Sequence, residues 1–180
     1  MVYVSIQHII GTAALLVLVL SLAYAYQIVV TFVQVSVIHT QMEQVAEYVA
    51  QSVSDVVSLT EFAYGALSSG TVSKSLKLPP DLSGKPYLVR LEGGGGSYYV
   101  VVEVSGMSNV YARSPIPLRN TTAAVKIVTG EDPDVSSALL GVEPKPSVYG
   151  GNEKAVVWCK KTWIEDQGYV ILVGLGVREG

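Results

Sequence analysis

Residues 9–26 read IIGTAALLVLVLSLAYAY, and this stretch decides how the chain is organised. It is apolar on nearly every side of a helix, and at 1.5 Å per residue it spans roughly 27 Å, close to the hydrocarbon thickness of a bilayer. The absence of charge extends further, because residues 1–42 contain no Asp, Glu, Lys or Arg. A helix over this uncharged stretch would reach about 60 Å, roughly twice what a bilayer covers.

The helix predicted from this stretch continues well beyond it. Residues 2–64 contain no proline and a single glycine, Gly11. After the apolar run, polar side chains recur three, four or seven residues apart, which is the spacing of one stripe on a helix. Pro79-Pro80 then forbids helix. We therefore predict one helix of about 60 residues that ends near Phe62 to Gly65.

The rest of the chain is rich in β-strand signals. Short β-rich runs separated by Gly, Pro, Asn and Asp clusters predict roughly six to eight strands in an antiparallel sandwich or a strongly curled sheet. The first two flank the Gly93–Gly96 run and predict a hairpin. The expected strands are Tyr87–Glu92, Tyr98–Val104, Asn109–Arg113, Ala123–Val128, Ala155–Ile164 and Tyr169–Val177, while Val135–Leu140 fits either a strand or one helical turn.

The predicted fold class is therefore α+β, with one long N-terminal α-helix followed by an antiparallel β-sandwich-like head. We assign the helix to residues 1–64, a linker to 65–80 and the head to 81–180. On this division the fragment 78–180 should fold alone. Valines within 45–64, however, recur at spacings of three and four, so this part of the helix could instead cover the sheet. The boundary would then fall near Gln44.

Composition excludes several classes of function. The 180 residues hold 12 basic and 15 acidic side chains, a net charge of -3 that argues against a nucleic-acid binder. A single cysteine excludes a disulfide framework and every multi-cysteine zinc site. The two histidines, His8 and His39, would lie roughly 46 Å apart on the helix, so they cannot share a metal within one subunit. We expect no metal, no cofactor and no enzymatic activity.

Three local features have alternative interpretations. Cys159 is typical of a buried inert thiol, or it could serve an intermolecular disulfide or a modification. Glu131, Asp132 and Asp134 form either a solvated turn or a weak extracellular calcium site. Asn120 begins an Asn-Thr-Thr sequon and is the candidate glycosylation site.

The predicted helix is too long to bury itself against a head of about 110 residues, whose diameter is about 30 Å. Its apolar surface must meet a membrane, other copies of the chain, or each in turn. A signal anchor normally carries Lys or Arg beside its cytoplasmic end, and residues 1–7 have neither. Removal of a basic leader by processing would explain this, whereas an authentic start at Met1 would favour an anchor.

Two segments of the chain are distinctive, namely Val4-Ser5-Ile6 through Gly11–Leu16, and the set Leu78, Pro79, Leu82, Gly84, Tyr87, Val89 and Leu91. Both resemble segments of archaeal members of the type IV pilin superfamily, the pilins and archaellins, whose heads are all-β. Bacterial pilins carry a glutamate near the fifth mature residue, where this chain has Ser5, and no class III signal peptide with a basic cleavage site is visible.

This resemblance implies a structural subunit of an extracellular archaeal type IV pilus-like filament, used for adhesion or motility. It implies a homo-oligomer assembled through residues 1–55, inserted in the membrane before assembly. The alternative is a membrane-anchored pseudopilin or filament accessory protein with one transmembrane helix and an extracytoplasmic β domain. The residues expected to pack in the filament core are Ile9, Ile10, Leu15, Leu16, Leu18, Leu20, Leu22, Tyr26, Val29, Val33 and Val37.

Overall fold

The long N-terminal helix is present as one element. In the computed structural model, which describes residues 2–62, 71–94, 97–107, 110–118, 124–128, 141–164 and 168–179, helix α1 covers Val2–Phe62. It contains 61 residues and ends at Phe62, the first residue of the range predicted for its end. The many valines do not interrupt it, because the weak helix propensity of β-branched residues yields to their environment.

The rest of the described chain is almost entirely β-structure, which confirms the predicted α+β class. The described residues form nine strands, arranged in two packed sheets. They are β1 Thr71–Ser75, β2 Tyr87–Gly94, β3 Ser97–Val104, β4 Tyr111–Pro115, β5 Ala124–Ile127, β6 Val142–Lys145, β7 Ser147–Tyr149, β8 Ala155–Ile164 and β9 Gly168–Arg178.

One sheet has the order β1-β8-β9-β5, with β6 also paired to β9, and the other has the order β4-β3-β2-β7. The predicted hairpin around the glycine run is confirmed, because β2 pairs antiparallel with β3 from Tyr87↔Val104 to Gly94↔Ser97. Strand β5 runs parallel to β9, and the other pairings between described strands are antiparallel.

Several boundaries differ from the sequence-based prediction. The expected linker over 65–80 contains β1, which pairs with β8, and also the buried residues Leu76 and Leu78. The sequence of β1, TVSKS, has no apolar alternation, because it is an edge strand with a half-buried face. Strands β6 and β7 were not predicted, since four and three residues are too short to carry a period. The segment 135–140 lies outside the described residues.

The chain divides into two compact units, Met1–Ile38 and His39–Gly180. Within the second unit, the end of α1 belongs to the core of the head. Apolar side chains at spacings of three and four residues are 0–7% exposed, as expected for a helix face that covers a sheet. The core of the head thus includes residues of the helix, and the head does not begin at residue 81. The buried helix residues are Met42, Val45, Ala46, Val49, Ala50, Val53, Val56 and Val57.

Hydrogen bonds join this helix segment to the strands and loops around it. Ser54 Oγ donates to the carbonyl of Pro117 at 2.9 Å, and Lys74 Nζ in β1 reaches Asp55 Oδ2 at 2.8 Å. The backbone N–H of Lys77 donates to the hydroxyl of Tyr48 at 3.2 Å. These bonds hold the second half of α1 against the head at several positions along the helix.

A second, smaller cluster surrounds Trp158 in β8. It contains Val142, Val156, Val128 and Leu172. The indole Nε1–H of Trp158 donates to the carbonyl of Leu175 at 2.9 Å, so the buried ring leaves no unpaired donor. The ring lies against Gly174 of β9, where an added Cβ would approach Trp158 Cζ2 to 2.5 Å. Glycine at this position therefore makes room for the indole.

Candidate functional site: the apolar surface of the N-terminal helix

All eleven residues predicted to pack in a filament core are exposed in the single chain. Their exposed fractions run from 45% for Val37 to 71% for Tyr26. Leu15, Leu16 and Leu20, near the middle of the apolar run, are 65%, 57% and 66% exposed. The sequence-based prediction placed these residues on a surface that needs a partner. Their packing against other helices stays a prediction.

The exposed apolar surface is wider than the predicted set. Six successive residues, 15–20, are each more than half exposed, and successive residues on a helix point about 100° apart. The apolar surface therefore encircles the helix and does not form a single stripe. A helix that is apolar all round is typical of a bundle interior or a membrane span. The residues that the prediction omitted are Val17, Val19, Tyr24, Ile28 and Phe32.

Hydroxyl groups within this surface are satisfied inside the helix itself. Thr12 donates to the carbonyl of His8 at 2.8 Å, Ser21 to that of Val17 at 2.8 Å, and Thr31 to that of Gln27 at 2.9 Å. Such i to i−4 bonds let Ser and Thr lie in surroundings without water. These three polar residues are therefore no obstacle to covering the helix with lipid or with other apolar side chains.

The helix passes the length and composition test for a membrane span. Within His8–Phe62, the most apolar window has a mean hydropathy of 2.3, and none of that window is buried. By length and composition, the helix is therefore compatible with insertion into a membrane. The first charge is Glu43, whose Oε1 lies 3.4 Å from Nδ1 of His39. Charge thus begins only where the second compact unit begins.

Of the other candidate residues, those that the structure describes add no chemical site. Asn120 and the acidic residues 131–134 lie outside the described residues. Among the residues that are described, no group of three or more His, Cys, Asp or Glu side chains could hold a metal ion. Cys159 is fully buried, and this burial raises the pKa of its thiol to about 11, although a hydrogen bond with Thr60 opposes the shift. Little reactive thiolate forms at neutral pH, which favours the inert interpretation.

One groove on the head is lined by an ion-pair network. Arg90 NH2 contacts Glu103 Oε1 at 2.5 Å and Glu92 Oε1 at 2.9 Å. Arg113 lies over the ring of Tyr99, 3.6 Å from its centroid, and 3.8 Å from Glu92 Oε2. The two carboxylates are engaged by arginine, so this groove presents no nucleophile activated by a base. Half-exposed pairs of this kind contribute little to stability.

Comparisons with protein-family models, with curated proteins and with solved structures found no match.

Proposed function

We propose that this chain is a structural subunit of an extracellular archaeal type IV pilus-like filament, assembled through its N-terminal helix and used for adhesion or motility. One observation carries the proposal. From Ile9 to Tyr26 the helix exposes apolar side chains on all sides, and exposed apolar side chains continue to Val37 without any charge. Such a surface is unstable in water, so it requires a cover that the chain does not itself supply.

The length of this surface favours other copies of the chain over lipid alone. From Ile9 to Val37 the helix rises about 42 Å at 1.5 Å per residue. The hydrocarbon core of a bilayer is about 30 Å thick and covers about 20 residues. Roughly two helical turns would remain apolar and uncovered outside the membrane. A bundle of neighbouring helices has no such limit of thickness and can cover the whole surface.

The same surface suits both stages of assembly. In the membrane, lipid covers the most apolar part of the helix. In a filament, neighbouring helices replace lipid, and contact between different surfaces of identical subunits produces an open helical fibre when the rotation does not close. Packing between helices then drives association, because lipid is as apolar as leucine and leaves no hydrophobic gain.

The second candidate is a membrane-anchored pseudopilin or filament accessory protein. The observation in its favour is the window of mean hydropathy 2.3, which a single transmembrane helix would also show. An anchor requires lipid only around its span. An anchor would therefore tolerate a polar side chain in the part of α1 that lies beyond its span of about 20 residues.

Two substitutions separate these candidates. Leu16→Asp places a carboxylate in the middle of the apolar run, at a cost of about 3 kcal/mol or more in lipid or in a helix bundle, and should prevent filament formation. Val33→Asp, at a residue 52% exposed, lies beyond a span over 9–26. It should also prevent filament formation, yet leave membrane insertion intact.

The experiment is expression of the full chain in an archaeal host, with sheared surface filaments counted by electron microscopy and membrane retention measured by fractionation. Tyr149→Asp is the matched control, because Tyr149 is 61% exposed and lies on the head. We expect normal filaments from the control and none from Val33→Asp. Normal filaments from Leu16→Asp, or a wild-type chain that stays in the membrane without polymerising, would contradict the proposal.

A further inference from the structure

Two glutamines interrupt the apolar helix surface between residues 9 and 37. Gln27 and Gln34 are both exposed in the single chain and lie seven residues apart on α1. Seven residues are close to two full turns, so the two side chains share one face of the helix. Thr31 lies between them on the same face, four residues from Gln27 and three from Gln34. We name Gln27, Thr31 and Gln34 the polar stripe.

The two amides of the polar stripe have no partner in the single chain. The hydroxyl of Thr31 donates to the carbonyl of Gln27 at 2.9 Å and is satisfied within the helix. In the part of the chain that the structure describes, no hydrogen bond joins the side-chain amide of Gln27 or Gln34 to another residue. Gln41, seven residues further along, differs because its Oε1 accepts a hydrogen bond from Ser83 Oγ at 3.0 Å. The polar stripe therefore presents two unpaired amides on an otherwise apolar surface.

The surroundings of these amides change when subunits assemble. In the membrane, a span of about 20 residues that covers 9–26 leaves Gln27 at its edge and Gln34 two turns outside it, so water satisfies both amides. In a filament, neighbouring helices displace that water. A buried amide without a hydrogen bond is strongly unfavourable. The covered glutamines therefore need polar partners on the surface that covers them.

The chemistry of the amide identifies the same stripe of another copy as the partner. A glutamine side chain carries two N–H donors and an acceptor oxygen, so it is complementary to an identical side chain. The helix surface offers no charged partner, because residues 1–42 contain no Asp, Glu, Lys or Arg. The hydroxyls of Thr12 and Ser21 already donate to carbonyls of their own helix. Pairing between glutamines satisfies both sides of the contact at once.

We infer that Gln27 and Gln34 pair with the glutamines of neighbouring copies at the filament axis and thereby set the axial register of the α1 helices. This inference rests on the proposed function, because it requires a filament. The same face of identical subunits meets itself where all copies point that face to their common axis. Neighbours in an open helical polymer are displaced along this axis, so Gln27 of one copy meets Gln34 of the next. The pairing requires a displacement of about 10.5 Å, the rise of seven helical residues.

The amides select one register because apolar side chains alone select it weakly. Polar side chains within an apolar interface between helices specify the register of the helices at a cost in stability. A slip of one helix by a single turn would leave both amides buried and unpaired. Leucine in place of both glutamines keeps the surface apolar and removes this selection.

Cysteine crosslinking tests the contact between Gln27 and Gln34. Filaments of the full chain carrying Gln27→Cys with Gln34→Cys are treated with a short bis-maleimide. The native Cys159 is 0% exposed, so the wild-type filament serves as the blank. We expect a ladder of multimers from the double variant, since each copy then joins two neighbours, and several-fold less product from either single variant. Dimers from a single variant at the yield of the double variant, or no multimers from the double variant, would overturn the inference and leave the proposed function standing.

A second experiment measures the register itself, by electron microscopy of filaments that carry Gln27→Leu with Gln34→Leu. We expect this variant to form filaments whose layer lines are blurred or fall into several sets. The control Ile28→Val with Val33→Ile exchanges exposed apolar side chains at constant total volume and should keep the wild-type layer lines.

Sharp wild-type layer lines from the leucine variant would overturn the inference. Absence of filaments from that variant, with the control intact, would assign the amides to affinity instead of register and would overturn it too. A wild-type chain that forms no filament would overturn both this inference and the proposed function.

Discussion

Removal of residues 39–70, which include residues 39–62 of α1, should unfold the head, although every described strand is retained in the fragment 71–180. Met42 and the five valines 45, 49, 53, 56 and 57 are 0–7% exposed and belong to the core. Full burial of such a side chain contributes about 1.5–3 kcal/mol. Their combined contribution is on the order of 10 kcal/mol, even after allowing for partial burial in the unfolded chain. This lies within the range of about 5–15 kcal/mol by which domains are usually stable, so its loss would remove most or all of the stability of the head.

The assay compares the fragments 39–180, 71–180 and 78–180 by circular dichroism and by thermal unfolding. We expect a cooperative transition for 39–180 alone, and an unfolded or aggregated chain for the two shorter fragments. Within 39–180, Val49→Ala should lower the free energy of unfolding by about 2 kcal/mol, because it empties a fully buried site. The exposed control Gln44→Ala should change it by less than about 0.5 kcal/mol. A cooperatively folded 71–180 fragment would refute the reasoning.

Three further predictions concern the head of the protein. Gly174→Ala should destabilise it by about 1–3 kcal/mol in chemical denaturation, because the new Cβ would lie 2.5 Å from the buried Trp158 ring. Gly84→Ala, with no atom within 4 Å but a positive φ of 77°, should show backbone strain alone and no clash. Burial raises the pKa of Tyr87 to about 12 from 10.0. Since the pKa of Tyr87 is higher in the folded state, its contribution to stability is fully present below pH 10 and is lost as the pH rises through 12. Tyr87→Phe should remove this pH dependence, and it also removes the hydrogen bond to the Pro79 carbonyl. Asn120 should carry a glycan in the native host, and an intact mass equal to that of the bare chain would disprove this.

Much of the fold is accessible from the sequence because its signals are strong and local. The uncharged run and the absence of proline over 2–64 predict α1 almost to its last residue. Alternation over Tyr87–Glu92 and the glycine run after it predict the β2–β3 hairpin, and β-rich runs between turn residues predict the long strands β8 and β9. Strand β1 is less visible, since an edge strand of Thr, Ser and Lys gains its stability from pairing with β8 and not from a buried face of its own.

It is harder to predict which residues form the core than which helices and strands the chain forms. The valine spacing over 45–57 fits a helix face that covers the sheet, but it does not by itself distinguish a helix packed on the head from one packed in a bundle. Long-range contacts decide this, such as the Ser54 bond to Pro117 across 63 residues. The exposure of Trp163 and Tyr169 depends on where α1 ends relative to β8, and no local sequence pattern predicts this.

The central claim is that other copies of this chain cover the apolar helix surface between residues 9 and 37. Photo-crosslinking tests it directly, with benzoylphenylalanine incorporated in place of Phe32, which is 75% exposed and lies beyond the most apolar run. Cells bearing surface filaments are irradiated, and the crosslinked products are analysed by mass spectrometry. The account predicts products at multiples of the subunit mass, with crosslinked peptides from α1 of a second copy. Crosslinks confined to lipid, or the absence of any crosslinked subunit dimer, would contradict it.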